Sequence, residues 1–126
     1  MGLTDPSDWT NDTNWVSSEE NLFPQFQNLI TDFAPYPNIQ IFPAYPNPTA
    51  SVTNFQLSKD SDVRFSFSVV NENFNVLASS DSLYTNAFAL NTTGIASAAD
   101  TMIRVYYYFE RNDSCLYKGH GDLRIN

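Results

Sequence analysis

The stretch Thr101–Arg111 alternates between two kinds of side chain more regularly than any other part of the sequence. One row is apolar and aromatic and consists of Ile103, Val105, Tyr107 and Phe109. The other row is mixed and consists of Met102, Arg104, Tyr106, Tyr108 and Glu110. Successive side chains of a β-strand point to opposite faces of a sheet, so this period of two predicts one long strand with an apolar face.

Further short apolar runs follow one another about every ten residues, with polar turns between them, which is typical of a β-sandwich. The predicted strands cover residues 39–42, 51–57, 63–70, 74–78, 88–90, 115–117 and 122–125. Residues 79–86 are predicted to form a loop with Tyr84 tucked in, and Asn112-Asp113-Ser114 to form a turn. The fold class expected is all-β, an immunoglobulin-like antiparallel β-sandwich of about seven strands.

The runs 51–57 and 63–70 are joined by the polar bend at residues 58–62. Val63, Phe65, Phe67 and Val69 alternate with polar residues, and Phe55 and Leu57 do so more weakly. Two alternating runs with a short polar connection predict an antiparallel hairpin.

The first part of the chain has a different character, and residues 1–38 are predicted to form an irregular arm on a sandwich domain of residues 39–126. Trp9 and Trp15 lie in an otherwise polar segment, and large rings of this kind gain most by docking in a groove. One short helix is expected near residues 22–33, where apolar residues share a helical face, with Ser17–Glu20 as a capping-box start.

The charge balance excludes some functions. The chain carries 14 acidic against 6 basic residues, a formal net charge of −8, and no Lys or Arg precedes Lys59. A nucleic-acid partner is therefore not expected, because phosphate binding needs a cationic surface. No stretch approaches eighteen apolar residues, so no membrane span is expected either. Cys115 is the only cysteine, which excludes an intrachain disulfide and favours a structural thiol.

Four residues are the candidate ligand-binding set: Arg104, Tyr106, Tyr108 and Tyr117. If one face of the long strand meets water, its tyrosines can form an aromatic platform for sugar rings. The alternative is that the N-terminal arm, with Trp9 and Trp15, covers these tyrosines.

The segment Lys118-Gly119-His120-Gly121-Asp122 places a His and a carboxylate between glycines that would let a ligand approach the backbone. A metal site needs more ligands than this, and the sequence has no other His. A local bend or bulge is the simpler interpretation, and Asp60 and Asp62 are interpreted as solvated turn acids. No metal, no cofactor and no catalytic residue is predicted.

From Phe42 onward several motifs occur in a recognisable order. They are the turn Tyr45-Pro46-Asn47-Pro48, the strand-like runs 53–57 and 63–69, the turn from Leu90 to Gly94-Ile95, and the tyrosine-rich run 102–109. Together they resemble the immunoglobulin-like C-terminal sorting domain of proteins exported by the type IX secretion system of Bacteroidetes bacteria. The sequence departs from that family at Ala98-Ala99-Asp100, where a Gly-x-Tyr step is usual, and at residues 119–126, where a short basic tail is usual.

The resemblance implies an extracytoplasmic protein, secreted, periplasmic or on the cell surface. Asp81-Ser82-Leu83 and Asp100-Thr101-Met102 are similar to the O-glycosylation pattern of the same bacteria. The function expected is that of a non-catalytic, sorting-domain-like module acting through a protein partner. The alternative is a carbohydrate-binding module that uses an exposed tyrosine row to hold a polysaccharide.

Overall fold

The computed structural model describes residues 9, 15–26, 29–31, 38–47, 49, 51–92 and 101–125. Its single helix within these residues is α1, Ser17–Glu20. Its strands are β1 Ile30–Thr31, β2 Gln40–Ile41, β3 Val52–Ser58, β4 Arg64–Val70, β5 Val76–Leu83, β6 Ala87–Asn91, β7 Thr101–Arg111 and β8 Ser114–Ile125.

The strands form a large sheet in the order β1-β8-β7-β4-β5 and a small sheet in the order β2-β3-β6. All strand pairs are antiparallel except β1 with β8. Strands β4, β7 and β8 take the places of C, F and G in an immunoglobulin sandwich, and β2, β3 and β6 those of A, B and E. The predicted fold class, an immunoglobulin-like antiparallel β-sandwich, is confirmed.

The main core lies between the sheets and is built by the alternation seen in the sequence. The apolar row of β7, from Ile103 to Phe109, is fully buried there. It meets Phe55 and Leu57 of the small sheet. A second buried cluster lies on the outer face of the large sheet, beneath residues 15–26.

The predicted hairpin of residues 51–57 with 63–70 is wrong. Strand β3 pairs with β2 and β6, whereas β4 pairs with β5 and β7, so the chain crosses from one sheet to the other between them. Two apolar rows can share a core by facing each other across a sandwich as well as by lying side by side, and alternation alone does not separate these cases. The connection is held by Lys59, whose Nζ donates to the Tyr84 carbonyl at 2.7 Å.

The loop predicted at residues 79–86 is also wrong for most of its length. Strand β5 continues to Leu83, because its backbone pairs with β4, and Tyr84 is 57 % exposed rather than tucked in. The turn before β5 is fixed by Asn71, whose Oδ1 accepts from the N–H groups of Asn73 at 3.0 Å and Asn75 at 2.9 Å. A short polar side chain of this kind replaces backbone partners in a turn.

The C-terminal region is one strand, β8, and not two strands with a bend between them. Gly119 and Gly121 pair in regular register with Tyr107 and Val105, because β7 is long enough to supply a partner throughout. Of the turn predicted at residues 112–114, Asn112 and Asp113 form the turn, with φ of 51° and 63°, and Ser114 begins β8. These values fit the type I′ connection that matches the twist of a hairpin.

The expected helix near residues 22–33 is not present in the described part of that range. Residues 21–25 form turns and a bend, and Ile30–Thr31 is a strand parallel to β8. Of the apolar residues that suggested a helical face, Leu22, Phe26 and Leu29 pack on the outer face of the large sheet, whereas Ile30 is 69 % exposed. The division at residues 38 and 39 stays a prediction, although the described arm residues pack on the sandwich.

Candidate functional site

The tyrosine row proposed for sugar binding is not presented to solvent. Tyr106 is 4 % exposed and Tyr108 is fully buried. Tyr117 lies on the opposite face of the large sheet, where its ring is 5.4 Å from that of Phe109. The candidate set is therefore divided between two faces and cannot form one aromatic platform.

Residues of the arm cover the two buried tyrosines. The ring of Trp15 lies edge-on to Tyr106 at 5.7 Å, and the rings of Phe23 and Phe26 lie 4.9 Å and 5.5 Å from that of Tyr108. The alternative interpretation was that the arm covers these tyrosines with Trp9 and Trp15. Trp15 does lie on this face, whereas Trp9 lies in the main core.

Polar groups on this covered face are joined into a network. Arg104 forms two bonds with the Asp122 carboxylate, from Nε to Oδ1 at 2.6 Å and from Nη2 to Oδ2 at 3.1 Å. The hydrogen bond with Asp122 raises the pKa of Arg104. Burial raises the pKa of Tyr106 to about 12, and a hydrogen bond with Glu19 of α1 acts in the same direction, while Arg104 opposes it. A bidentate pair of this kind fixes the orientation of the guanidinium group. Arg104 therefore has a structural role, because it takes part in the network that positions the arm.

Lys118 is buried under the same arm. Its Nζ lies 4.8 Å from the ring centre of Trp15 and 5.4 Å from that of Phe26. A cation over an aromatic face is attracted by the ring quadrupole, more strongly when water is excluded. Lys118 therefore helps to hold the arm.

Gly121, next to His120, makes room for the chain itself. Trp9 donates its backbone N–H to the His120 carbonyl at 2.7 Å. Its ring enters the main core beside Phe55 at 5.7 Å and Tyr107 at 6.3 Å. A Cβ added at Gly121 would overlap that ring. The close approach expected of an external ligand is thus made by Trp9.

The remaining reactive residues are placed for structural roles. Burial raises the pKa of the Cys115 thiol to about 12, which keeps it protonated at neutral pH. Arg111 lies 3.3 Å from Asp60 and 3.6 Å from Asp62.

Within the described ranges, no three His, Cys, Asp or Glu residues are grouped so that they could hold a metal ion. No helix among these residues is both long enough and apolar enough to cross a bilayer.

One edge of the large sheet, the outer edge of β8, is covered by other parts of the chain, and we call it the covered edge. The carbonyls of His120 and Arg124 accept from the N–H groups of Trp9 and Thr49, at 2.7 Å and 2.9 Å. Between them, Asn47 donates from Nδ2 to the Asp122 carbonyl and accepts at Oδ1 from the Arg124 N–H, both at 3.0 Å. The Asn47 side chain thus stands in for a peptide group of a neighbouring strand.

The opposite edge, the outer edge of β5, has no strand paired to it among the described residues, and we call it the open edge. Register shifts interrupt β5 on both sides of Ala78, Ser79 and Ser80, which pair regularly with β4. A groove of about 190 Å³, the β5 groove, lies between residues 22–25 of the arm and the strands β4 and β5. Its lining consists of Leu22, Phe23, Pro24, Gln25, Phe67, Ser79, Ser80 and Asp81.

A second candidate surface is the outer face of the small sheet, which we call the Tyr45 face. It is made of Phe42, Tyr45, Val52, Asn54 and Gln56, all exposed and none charged. Tyr45 is 78 % exposed, and its backbone is fixed by reciprocal bonds with Asn54, at 3.1 Å and 2.8 Å. A depression of about 330 Å³ is lined by Pro43, Tyr45, Asn54 and Gln56.

Comparison with known proteins finds no matching family model and no matching curated protein. Among solved structures, domains d3-d4 of the rat CD45 extracellular region are similar to 68 % of the chain, with 11 % identity and a TM-score of 0.46. An FMN-binding beta-glucuronidase from Facaelibacterium prausnitzii L2-6 is similar to 78 % of the chain, with 14 % identity and a TM-score of 0.47. The chain spans 46 % and 17 % of those two chains. Both similarities are too distant to bear on function.

Sequence reasoning missed both candidate surfaces, for different reasons. The alternation of Asn54 and Gln56 with Phe55 was visible and marks a solvent-facing row, but Tyr45 was interpreted only as part of a turn. The β5 groove has no local signal, because its walls come from the arm and from a strand that are distant in sequence.

Proposed function

We propose that this chain is a non-catalytic module of a secreted or cell-surface protein and that it acts through contacts with a protein partner. The observation that carries this proposal is the difference between the two edges of the large sheet. The covered edge is bonded by Trp9, Asn47 and Thr49, whereas the open edge lies beside a groove. An unpaired strand edge is a template for another chain.

The relation to type IX sorting domains is part of the same proposal. The turn that carries the resemblance, Tyr45-Pro46-Asn47, has a structural purpose here, because Asn47 binds two backbone groups of β8. Thr53 adds a bond from its Oγ1 to the Pro46 carbonyl at 2.9 Å. A motif that fixes the edge of a sandwich supports a common fold with that family and, through it, an extracytoplasmic location.

A carbohydrate-binding function is the second candidate, and the Tyr45 face favours it. An exposed ring stacks on the apolar face of a sugar, and amide side chains both donate to and accept from hydroxyl groups. The depression beside Tyr45 combines that ring with Asn54 and Gln56 and contains no charge. A neutral sugar is the ligand that such a surface would take.

Two unbiased screens on the full chain separate these functions. A library of displayed random peptides and an array of neutral oligosaccharides are each offered to the immobilised protein, with free wild-type protein as competitor. Ser79→Pro and Ser80→Pro serve as edge variants. Adjacent N–H groups of a strand point to opposite sides, so one of these prolines removes an outward donor and the other a bond to β4.

The variant that keeps the wild-type unfolding midpoint is the informative one. Peptides that are displaced by wild-type protein but not by that variant would support the proposed function. Enrichment of oligosaccharides alone, lost on Tyr45→Ala, would replace it by the second candidate. A library from which no peptide is enriched would overturn the protein-contact function.

A further inference from the structure

We infer that the open edge takes an extended segment of the partner as an added strand, and that a Lys or Arg side chain of that segment enters the β5 groove beside Asp81. This inference rests on the proposed function and specifies its partner. It follows from three properties of the surface: its backbone, its shape and its charge.

The backbone of the open edge can pair with only a short segment. Ala78, Ser79 and Ser80 pair regularly with β4, and the register shifts on either side bend the strand away from a flat ladder. Small side chains at these positions let another backbone approach. A short regular edge suits a single peptide strand rather than the edge of a second sheet, and in strand addition the main chain supplies affinity while side-chain pockets supply selectivity.

The β5 groove provides such a pocket. Leu22, Phe23 and Pro24 form apolar walls on the arm side, and Asp81 is exposed at the strand side. No hydrogen bond or ion pair joins Asp81 to another described side chain. Long cationic side chains bury their methylene stems on apolar surface and keep the charged end at a polar rim, which matches this order of groups.

The charge of the chain favours the same ligand. The net charge is −8, and an acidic surface attracts a basic segment and speeds its encounter. Groups of the chain itself hold the side chains of Lys59, Arg64, Arg104, Arg111 and Lys118. The cation in the β5 groove is therefore expected from the partner.

The test uses full-length ¹⁵N-labelled protein and a capped peptide of alternating threonine and valine with one central lysine. Binding is measured by titration calorimetry, and its site by amide shifts at Ser79, Ser80 and Asp81. We expect localised shifts there and at residues 22–25. Replacing the lysine by norleucine, or Asp81 by asparagine, is expected to weaken binding about threefold to fivefold, as for an exposed ion pair.

The two changes remove the same interaction, so together they should cost no more than either alone. Glu72→Gln is the matched control, because it removes one exposed charge from the turn before β5 and lies outside the groove lining. It is expected to bind the lysine peptide as the wild type does.

Two N-methylated peptides test strand pairing itself. Methylation of alternate residues blocks the N–H groups on one side of an extended chain, so one version should lose binding and the version methylated on the other side should retain it. Equal binding of both versions, equal binding of lysine and glutamate peptides, or shifts confined to the Tyr45 face would overturn the inference. Displayed peptides that compete with one another but do not shift β5 amides would overturn strand addition and leave the protein-contact function standing.

Discussion

The two edges of the large sheet are protected in different ways. On the covered edge, Trp9, Asn47 and Thr49 form hydrogen bonds with successive outward-facing backbone groups of β8. On the open edge, register shifts shorten the regular part of β5 but leave its outer backbone groups unpaired by any described strand. Both devices prevent extended sheet-to-sheet pairing. Only the second leaves a surface on which a short segment can add, and this difference is the basis for the proposed function.

The covered edge also connects the arm to the core. Trp9 enters between the sheets at this edge, whereas Trp15 lies on the outer face of the same sheet. The arm therefore contacts both faces of the strand pair β7 and β8. We expect changes at the covered edge to alter the stability of the whole fold, and changes to the outward-facing groups of the open edge to alter binding alone.

The largest effect is expected for Trp9→Ala. The change empties a site in the main core and removes ring contacts with Phe55 and Tyr107, so we expect a loss of about 3–5 kcal/mol in the free energy of unfolding. Urea denaturation followed by tyrosine fluorescence and circular dichroism measures it. Val76→Lys, at an exposed position of β5, is the comparison and should stay within about 0.5 kcal/mol of wild type.

Gly121→Ala tests whether the Trp9 ring packs against Gly121. The added methyl group would overlap the Trp9 ring, and overpacking of this kind costs about 1–3 kcal/mol. In the Trp9→Ala background the same methyl group has space, so its cost should fall to near zero. Strictly additive effects would show that Trp9 does not occupy this position.

An effect of similar size is expected from alkaline pH, through Tyr106 beneath the arm. Its pKa is raised by burial from 10.0 to about 12 in the folded chain. A phenol whose folded pKa is raised contributes stability that is fully present below pH 10 and is lost as the pH rises from 10 to 12. Over that window we expect Tyr106 alone to contribute a loss of about 2–3 kcal/mol, to which ionisation of the buried Cys115 thiol adds.

Urea denaturation at pH 9 and at pH 11.5 would reveal this loss, with phenolate absorbance monitored in parallel. Tyr106→Phe should lose less stability than wild type between these two pH values, since it has no hydroxyl to ionise. A wild-type phenolate signal that is complete by pH 10.5 without unfolding would contradict the prediction.

Asn47→Ala is expected to remove about 1–2 kcal/mol, because it leaves the Asp122 carbonyl and the Arg124 N–H of the covered edge without their partner. Chemical denaturation measures the loss, and hydrogen exchange at Arg124 locates it. Asn54→Ala is the matched control, since its side chain makes one long bond of 3.4 Å on an exposed face. If both substitutions cost the same, Asn47 does not hold the covered edge.

The sequence predicted those features that depend on local alternation. The bounds of β7 agree with the predicted strand at both ends, because its apolar row faces the core along its whole length. The pairing of β3 was missed, because the alternation of Phe55 and Phe65 is equally compatible with one sheet or two. For Tyr106 and Tyr108 the sequence left two outcomes open, exposure to solvent or coverage by the arm. The rings that cover them belong to Trp15, Phe23 and Phe26. These residues are far away in sequence, so no local pattern around the tyrosines could indicate their burial.

The smallest predicted effect on stability concerns the turn that joins β7 to β8, the strand of the covered edge. Asp113 has φ of 63°, a conformation that glycine adopts more readily than aspartate. Asp113→Gly should therefore raise the free energy of unfolding by about 0.5–1 kcal/mol, measured by urea denaturation. The backbone carbonyl that accepts from Ile30 at 2.9 Å is retained, so the covered edge keeps this bond. Peptide binding at the open edge should not change, and a variant that gained stability but lost peptide binding would show that the two edges are coupled.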